Sequence, residues 1–236
     1  MSTYRRILLK LSGEALGLDG RLFDHAKIAQ AARVIRAVHE LGVEVGVVIG
    51  AGNIWRGRQG PSANMNAVIA DQMGMLGTAI NCLAMRDALQ REGLTAYVQS
   101  AVDMPRFAES YNTQKAMEEL KSGAVVLFAC GSGNPFFSTD TAVVLRAIEV
   151  EADAILMAKN IDGVYSADPR KNPSAVLLRD LTYQQCQEKD LKVVDAAAFA
   201  LLRDNAFPLV RVFSLEDPDN IVRVLEGNDM GTFIHP

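Results

Sequence analysis

Short apolar runs alternate with amphipathic segments along nearly the whole chain. The apolar runs have the length and composition of buried strands, and they are RILLKL (6–11), VEVGVVI (43–49), TAYVQS (95–100), AVVLFAC (124–130), DAILMA (153–158) and PLVRVFS (208–214). Segments with helical periodicity lie between or after them, at 24–42, 66–92, 113–123, 138–152, 195–206 and 217–227. This alternation predicts a mainly parallel central sheet with helices on both of its faces.

Composition and charge restrict the classes of protein that fit this pattern. The chain has 236 residues, of which 49% are hydrophobic and 22% are charged, and no linker, repeat or low-complexity tract divides it. We therefore expect one domain over residues 1–236 with two lobes. A formal net charge of −4 and a pI near 5.5 argue against nucleic acid or an acidic membrane as a partner. Any anion-binding site must therefore be local.

The segment 66–92 is unusual because it is apolar nearly all round, through MGMLGTAINCLAM. Such a helix is predicted to be central and covered on most sides. The longest uncharged stretch, 122–139, contains clustered glycines, an asparagine and a proline. A lipid-exposed helix would not carry these residues together, so we expect no membrane-spanning segment.

The cysteines and histidines give no sign of a metal site. Cys82, Cys130 and Cys186 are widely spaced and lie in apolar segments, so we expect buried, reduced thiols. The three histidines stand far apart and lack the spacing of metal ligands. The sequence therefore leaves the ligands of any metal unassigned.

A lysine stands in the middle of the first apolar run. In RRILLKLSGEALG (5–17), Lys10 lies between two leucines, and the run ends at Ser12 and Gly13. An unpaired buried ammonium costs several kcal/mol, so a strand that carries one requires an anion nearby. Either Lys10 meets an anionic ligand at the end of the strand, or its side chain extends from the strand end into solvent.

Two further strands lead into loops of one local pattern. VGVVI leads into GAGNIWRG (50–57), and AVVLFAC leads into GSGNPFFSTD (131–140). In open α/β sheets, ligands bind beyond the carboxyl ends of strands, where glycine-rich turns bring backbone N–H groups around an anion. Each loop alone is equally compatible with a tight turn that requires positive φ. The third glycine of the dinucleotide fingerprint and the sequence G-x-x-x-x-G-K-S/T are both missing, which disfavours Rossmann dehydrogenases and P-loop kinases.

Six motifs extend over nearly the whole chain, and their order points to one family. They are KLSGEAL, VVIGAGNIWRG, DQMGMLGTAINCLAMRDAL, GSGNPFFSTD, IDGVYSADP and LKVVDAAAF. In this combination the sequence resembles bacterial UMP kinases, which are members of the amino acid kinase fold family. The resemblance implies a three-layer α/β/α sandwich around a sheet of about eight strands, with an N-terminal acceptor-binding lobe and a C-terminal ATP-binding lobe. It also implies transfer of the γ-phosphoryl group of ATP to UMP, giving UDP and ADP in pyrimidine nucleotide biosynthesis.

The resemblance assigns catalytic roles to Lys10, Arg56, Asp140 and Asp195. Phosphoryl transfer requires positioning, together with positive charge where negative charge builds up. The resemblance implies that Lys10 lies against the transferred phosphoryl group, held by Asp140. It implies that Asp195 lies close to the transfer, neutralised by Lys10 or Mg²⁺, and that Arg56 lies toward ATP. The planar guanidinium of Arg56 could there bridge phosphates. From the residues alone, the two aspartates are equally compatible with helix N-caps, and Arg56 with a surface arginine.

The implied ATP site is divided between two parts of the chain. Its residues are Lys10, Leu11, Ser12, Gly13, Gly52, Arg56, Lys159, Asn160, Tyr165 and Asp168. The turn at 12–13 would supply backbone donors to the phosphates. Tyr165 could pack on the base, and Asp168 could bond the ribose or the base edge. The segment AKNIDGVYSADP mixes two forms found in the family, so either Lys159 or Asn160 takes the nucleotide-facing position.

The implied UMP site combines the long helix with both glycine loops. Its residues are Ala51, Asp71, Ser132, Gly133, Asn134, Pro135, Phe136, Phe137, Ser138 and Thr139. Asp71 resembles the carboxylate that accepts hydrogen bonds from the ribose hydroxyls. Ala51 stands where the family motif usually has glycine; it adds strain if the backbone there requires positive φ, and is nearly neutral if only a small side chain is required. Adjacent phenylalanines are more often core residues, so we expect at most one of Phe136 and Phe137 to touch the base.

The resemblance further implies a cytoplasmic homohexamer, Mg-ATP as the donor, activation by GTP and inhibition by UTP. Neither the oligomer surfaces nor an effector site can be singled out from the sequence. Two other hypotheses stay open: a kinase of the same fold that acts on carbamate, acetylglutamate or aspartate, and a nucleotide-sensing regulator without turnover. The segment GNPFFSTD disfavours the first, and the presence of Lys10, Asp140 and Asp195 disfavours the second.

Overall fold

The central element of the fold is a mainly parallel β-sheet. The computed structural model describes residues 4–55, 65–191 and 193–236. The strands within these ranges are β1 (Arg6–Leu11), β2 (Glu44–Ile49), β3 (Ala96–Ser100), β4 (Glu109–Ser110), β5 (Val125–Ala129), β6 (Ala154–Lys159), β7 (Val164–Tyr165), β8 (Leu177–Leu178), β9 (Asp180–Thr182), β10 (Val210–Ser214) and β11 (Thr232–His235). Among these, nine strands form the main sheet in the order β4-β3-β5-β2-β1-β6-β10-β11-β9, with β10 and β11 antiparallel and the other neighbours parallel. Strands β7 and β8 form a separate antiparallel pair.

Helices cover both faces of the main sheet. They are α1 (His25–Glu40), α2 (Ala67–Arg91), α3 (Thr113–Lys121), α4 (Thr139–Glu149), α5 (Tyr183–Glu188), α6 (Ala196–Asp204) and α7 (Asn220–Leu225), with a short 3-10 helix (Gly13–Leu16) after β1. One apolar core lies between the sheet and α1, α2 and α7, and a second lies between the sheet and α3, α4, α5 and α6. The predicted three-layer α/β/α sandwich is confirmed. The described part of the main sheet has nine strands instead of about eight.

Polar side chains fix where several helices begin. Asp24 accepts the N–H of Lys27 at the start of α1, as its position in the sequence predicts. Asn66 caps α2 and Ser138 caps α4 in the same way. Each such cap contributes about 1 kcal/mol by pairing an N–H that the helix leaves unsatisfied. The Ser138 cap sets the start of α4, whose first turn borders the candidate site.

The long helix α2 is not covered on most sides, so that prediction is wrong. It packs on β2, β3, β5 and α1 with one side only. The large apolar residues on its other side are 37% to 54% exposed; this apolar stripe consists of Ile69, Met73, Leu76 and Ile80. Among the described residues α2 is the one helix long and apolar enough to cross a membrane, a criterion that a helix packed on a protein core also meets.

The alternation of side chains along β1 sends Lys10 to a different face from its neighbours. Ile7, Leu9 and Leu11 belong to the core under α1 and α2, whereas Leu8 belongs to the core on the α4 side. Since successive side chains of a strand point to opposite faces, Lys10 lies on the same side as Leu8. The strand therefore delivers the ammonium group toward the first turn of α4.

Candidate active site

Lys10 belongs to a cluster of charges at the carboxyl ends of β1 and β6. Its Nζ lies 3.0 Å from Oδ1 of Asp140, in the first turn of α4, and its side chain is 13% exposed. Oδ2 of the same carboxylate lies 3.7 Å from Nζ of Lys159, the last residue of β6. The Lys159 ammonium also donates to the carbonyl oxygen of Val193. Lys10 is thus paired within the protein and does not extend into bulk solvent.

The two lysines share Asp140, and this affects the pKa of Lys159. Burial lowers the pKa of Lys159; Asp140 opposes this shift, and the positive charge of Lys10 adds to it. Two ammonium groups beside one carboxylate form a place where an added anion reduces repulsion between the cations. This arrangement suits a polyphosphate at the end of β1.

Asp195 is an ionised N-cap of α6, and its carboxylate also accepts hydrogen bonds from residues at the start of α4. Its carboxylate accepts the N–H of Ala198 at 2.9 Å and the hydroxyl of Thr141 at 2.8 Å, together with the hydroxyl of Ser138. Burial alone would raise the pKa of Asp195, but these hydrogen bonds outweigh it and lower the pKa below its ordinary value. A carboxylate with a lowered pKa is a poor general base near pH 7.

The two aspartates therefore differ in their local roles. Asp195 is the N-cap of α6, which is the role that the residues alone allowed for both aspartates. Asp140 is not a cap: the cap of α4 is Ser138, whose hydroxyl accepts the N–H of Asp140 at 2.9 Å. The Asp140 carboxylate is instead turned to the two lysines.

The turn after β1 lies against the first glycine loop (residues 50–53) with almost no space between their backbones. A Cβ added at Gly13 would come within 2.3 Å of the carbonyl oxygen of Gly50. Asn81 of α2 holds the same loop, because its amide donates to the Gly50 carbonyl at 2.7 Å and to Oδ1 of Asn53 at 2.8 Å. The first glycine loop is thus fixed to both the first turn and the long helix.

Ala51 occupies its place in the first glycine loop without backbone strain. It is not among the residues with positive φ, so the hypothesis of a strained alanine is wrong. Its methyl group faces Gly77 of α2, where an added Cβ would lie only 2.9 Å from the Cβ of Ala51. What the loop requires at position 51 is a small side chain, and alanine satisfies that requirement.

The second glycine loop (residues 131–134) reverses direction by left-handed backbone. Gly131 has φ +59° and Gly133 has φ +80°, and a Cβ at Gly133 would lie 2.9 Å from the carbonyl oxygen of Ala101. Phe136 also has a positive φ of 70°, and its N–H donates to Oδ2 of Asp71 at 2.7 Å. A carboxylate on α2 thus stabilises a strained position just after the loop.

A cleft of about 510 Å³ lies between α2 and the segment 131–139; we call it the α2 cleft. The predicted UMP-site residues on its walls are Ala51, Asp71, Ser132, Asn134, Phe136, Phe137, Ser138 and Thr139. Gly133 and Pro135 belong to the same segment. Phe136 and Phe137 are 73% and 50% exposed and both line the cleft, so neither is a core residue; that at most one of them touches a base stays a prediction.

Two more cavities continue from the α2 cleft. The lysine cleft, about 830 Å³, is lined by Lys10, Asp140, Lys159 and Asp195, and it shares Ser138, Thr139 and Asp195 with the α2 cleft. The hairpin cleft, about 400 Å³, contains Tyr165 and Asp168 and shares Lys159 with the lysine cleft. Together they form a groove that runs from α2, past Lys10, to the β7–β8 pair.

Not all predicted ATP-site residues lie in this groove. Of the two alternatives, Lys159 faces the lysine cleft, whereas Asn160 lines a different cavity beside α1 and donates to Oε2 of Glu14 at 3.4 Å. The Leu11 side chain is buried in the core under α1, so only its backbone could meet a nucleotide. Arg56 lies outside the described residues.

Sequence reasoning missed several residues that line the α2 cleft, Trp55 and Thr78 among them. Trp55 lines the cleft, and its indole N–H donates to the carbonyl oxygen of Ala70 at 2.8 Å, next to Asp71. Trp55 is the chain's single tryptophan and lies two residues after the end of the first glycine loop. That position was the available signal, because a large aromatic residue beside a ligand-binding turn is a frequent cleft wall.

Comparisons with known proteins agree with this geometry. The model of the amino acid kinase family matches residues 5–214. The chain belongs to the amino acid kinase family. The uridylate kinase of Psychromonas ingrahamii is 51% identical over 99% of this chain and 94% of that protein. That of Pseudoalteromonas atlantica is 51% identical over 99% of this chain and 95% of that protein.

Solved structures of the family have the same fold. The structure of UMP kinase from Bacillus anthracis matches with a TM-score of 0.94 and 38% identity, over 98% of this chain and 96% of that chain. The structure of UMP kinase from Ureaplasma parvum matches with a TM-score of 0.93 and 35% identity, over 98% of this chain and 99% of that chain. The resemblance to bacterial UMP kinases is confirmed.

Proposed function

We propose that this chain is a UMP kinase that transfers the γ-phosphoryl group of ATP to UMP, giving UDP and ADP in pyrimidine nucleotide biosynthesis. The observation that carries the proposal is the groove in which Lys10 stands between the α2 cleft and the hairpin cleft. A phosphoryl group must pass between two bound nucleotides, and a cation at the crossing point stabilises the charge that develops there. The relatives named uridylate kinase support UMP as the acceptor.

UMP is proposed to occupy the α2 cleft. Asp71 accepts hydrogen bonds from the ribose hydroxyls, and the segment 132–139 surrounds the uracil and the phosphate. Ala51 contributes a small wall next to the first glycine loop. The exposure of Phe136 and Phe137 supports this assignment, because exposed aromatic rings on a cleft wall provide apolar surface for a base.

ATP is proposed to occupy the hairpin and lysine clefts. Tyr165 and Asp168 bind the adenosine, and Lys159 binds the phosphates. The turn at 11–13, Gly52 and Arg56 complete the phosphate site. Support comes from the shared wall of the two clefts at Lys159, which gives one continuous space for an extended nucleotide.

In the proposed reaction, Lys10 carries the main catalytic charge. Asp140 orients it, and the negative charge of Asp195 is balanced by Lys10 or by the metal. The UMP phosphate is already ionised near pH 7, so the reaction needs no general base. The lowered pKa of Asp195 supports a purely electrostatic role for that carboxylate.

Mg²⁺ is proposed to arrive with ATP. Mg²⁺ is commonly held by one or two carboxylates together with substrate phosphates and waters. In the part of the chain that the structure describes, no group of three or more His, Cys, Asp or Glu side chains could hold a metal by itself. Asp140 and Asp195 border the lysine cleft and supply oxygen donors of the type that Mg²⁺ prefers.

We further propose a cytoplasmic homohexamer of a single two-lobed domain, activated by GTP and inhibited by UTP. The apolar stripe of α2 supports assembly, because a second copy offers the same uncharged surface, and pairing of the two stripes removes both from water. In Leu76→Glu this pairing would bury two unpaired charges. We expect light scattering to give a smaller particle for that variant than for the natural chain.

The test of the proposed function is a coupled assay with Mg-ATP and a panel of acceptors. UMP, CMP, carbamate, aspartate and acetylglutamate are offered in parallel to the purified protein. We expect turnover of UMP and little turnover of CMP. Turnover of an amino acid in place of UMP would refute the acceptor, and saturable UMP binding without turnover would favour a nucleotide-sensing regulator.

A further inference from the structure

Thr78 links the middle of α2 to the start of the second glycine loop. Its side chain is buried, with the residue 3% exposed, and it lines the α2 cleft. Its hydroxyl accepts the backbone N–H of Cys130 at 2.8 Å and donates to the carbonyl oxygen of Met75 at 2.6 Å. Both hydrogen-bonding directions of this hydroxyl are therefore used inside the protein.

The N–H that Thr78 accepts belongs to a strained position. Cys130 follows β5 and has φ +61°, a left-handed conformation that residues with a Cβ rarely adopt. Gly131 continues the left-handed path with φ +59°. A strained backbone persists where its surroundings determine it, and here one of the contacts that hold it comes from Thr78 of α2, 52 residues earlier in the chain.

The same turn has a second, weaker support from the opposite face of the sheet. The Arg146 guanidinium of α4 lies 3.5 Å from the carbonyl oxygen of Gly131 and 3.7 Å from the centre of the Tyr111 ring. A contact of 3.5 Å is at the limit of hydrogen bonding, whereas the Thr78 bond is of ordinary length. Of these two side-chain contacts, the one from Thr78 is therefore the stronger.

We infer that Thr78 is a positioning residue for the acceptor nucleotide. By holding the N–H of Cys130, it sets the point at which the segment 131–137 leaves the sheet and thereby the distance of that segment from Asp71. The inference rests on the proposed function, in which this segment surrounds UMP. Thr78 acts through the loop, so its loss changes the binding of the acceptor more than the binding of ATP.

Asn81 offers a matched comparison on the same helix. It lies three residues after Thr78, is equally buried and also holds a loop by hydrogen bonds, but the loop is the first one. A variant of Asn81 therefore removes a buried polar contact of similar kind without touching the second loop. The helix α2 thus contacts both glycine loops through different side chains, so a variant of Thr78 or of Asn81 can remove the contact to one loop and leave the other in place.

The first measurement needs no nucleotide. Hydrogen–deuterium exchange is followed at the segments 50–55 and 128–137 in the natural chain and in Thr78→Val, Thr78→Ala, Thr78→Ser and Asn81→Ala. The Val and Ala variants are expected to exchange about tenfold faster at 128–137, because a buried N–H has lost its partner. Thr78→Ser keeps the hydroxyl and should match the natural chain, and Asn81→Ala should change the segment 50–55 instead.

The second measurement is steady-state kinetics with UMP and Mg-ATP. Thr78→Val and Thr78→Ala are expected to raise KM for UMP about tenfold and to leave KM for ATP within about twofold, with recovery in Thr78→Ser. An unchanged KM for UMP in a folded Val or Ala variant would overturn the inference. Equal increases in both KM values would also overturn it, because a general structural defect acts on both substrates. If the natural chain does not turn over UMP, the proposed function fails, whereas the exchange data still decide whether Thr78 positions the loop.

Discussion

The two glycine loops have the same pattern, G-x-G-N, but different backbones. In the second loop, Gly131 and Gly133 both have positive φ, whereas in the first loop neither Gly50 nor Gly52 does. A Cβ at Gly133 would meet a backbone oxygen at 2.9 Å. A Cβ at Gly52 would have only ordinary contacts, the nearest at 3.5 Å from a side-chain carbon of Glu14.

The difference shows that one sequence pattern can serve two physical requirements. The second loop needs glycine for its conformation, since the chain must reverse direction beside Ala101. At positions 50 and 52 the protein itself leaves room for a methyl group. In the proposed function, the absence of a side chain at Gly52 lets the phosphates of ATP approach the backbone closely.

The largest effect expected from this comparison is on stability. Gly133→Ala places a side chain in a left-handed conformation and against the carbonyl oxygen of Ala101, so we expect a loss of about 2 kcal/mol in the free energy of unfolding. The matched variant Gly52→Ala should lose less than about 0.5 kcal/mol. Urea unfolding of both variants measures the difference, and equal losses would show that the loops do not differ in this way.

Asp71 tests whether the second loop binds the acceptor. Asp71→Asn keeps an oxygen for the N–H of Phe136 but removes the negative charge, so we expect KM for UMP to rise about tenfold, or roughly 1.4 kcal/mol. Asp87→Asn is the control, because Asp87 lies on the same helix and forms a surface ion pair with Arg91. A KM that stays within twofold in Asp71→Asn would argue against a ribose contact.

A smaller effect is expected at the position where the chain departs from the family motif. Ala51→Gly restores the usual residue, but Ala51 has no positive φ to relieve. We expect a loss of about 0.5 to 1 kcal/mol in the free energy of unfolding, because glycine gains freedom in the unfolded chain. KM for UMP should stay within twofold. A gain in stability measured by urea unfolding would mean that alanine is strained there after all.

Much of the fold was predictable because periodicity and apolar runs follow directly from burial. β1 and the helix after Asp24 begin at or next to their predicted positions, and Lys10 and Asp140 meet as the resemblance implies. The exposed stripe of α2 was not predictable. An apolar helix that a monomer covers and one that it leaves open have the same sequence pattern.

The backbone conformation of the two glycine loops and the direction of side chains in the site depend on contacts with residues distant in the sequence. The different backbones of two identical patterns arise from neighbours far away in the chain, such as Thr78 and Ala101. The choice between Lys159 and Asn160 depends on which of two successive side chains leaves β6 on the α4 side. A shift of β6 by one residue would exchange the positions of Lys159 and Asn160. The sequence alone does not fix this register, so it left both residues open as the one that faces the nucleotide.

The most direct test of the account is the turnover of Lys10→Ala at saturating Mg-ATP and UMP. Without the ammonium at the junction of the clefts, we expect kcat to fall at least ~100-fold, roughly 2.7 kcal/mol of transition-state stabilisation. Lys115→Ala is the control, because Lys115 lies on α3 and pairs with Glu109, so its kcat should not change. Circular dichroism and light scattering should show that fold and assembly are intact in both variants. A folded Lys10→Ala variant that keeps most of its kcat would contradict the account.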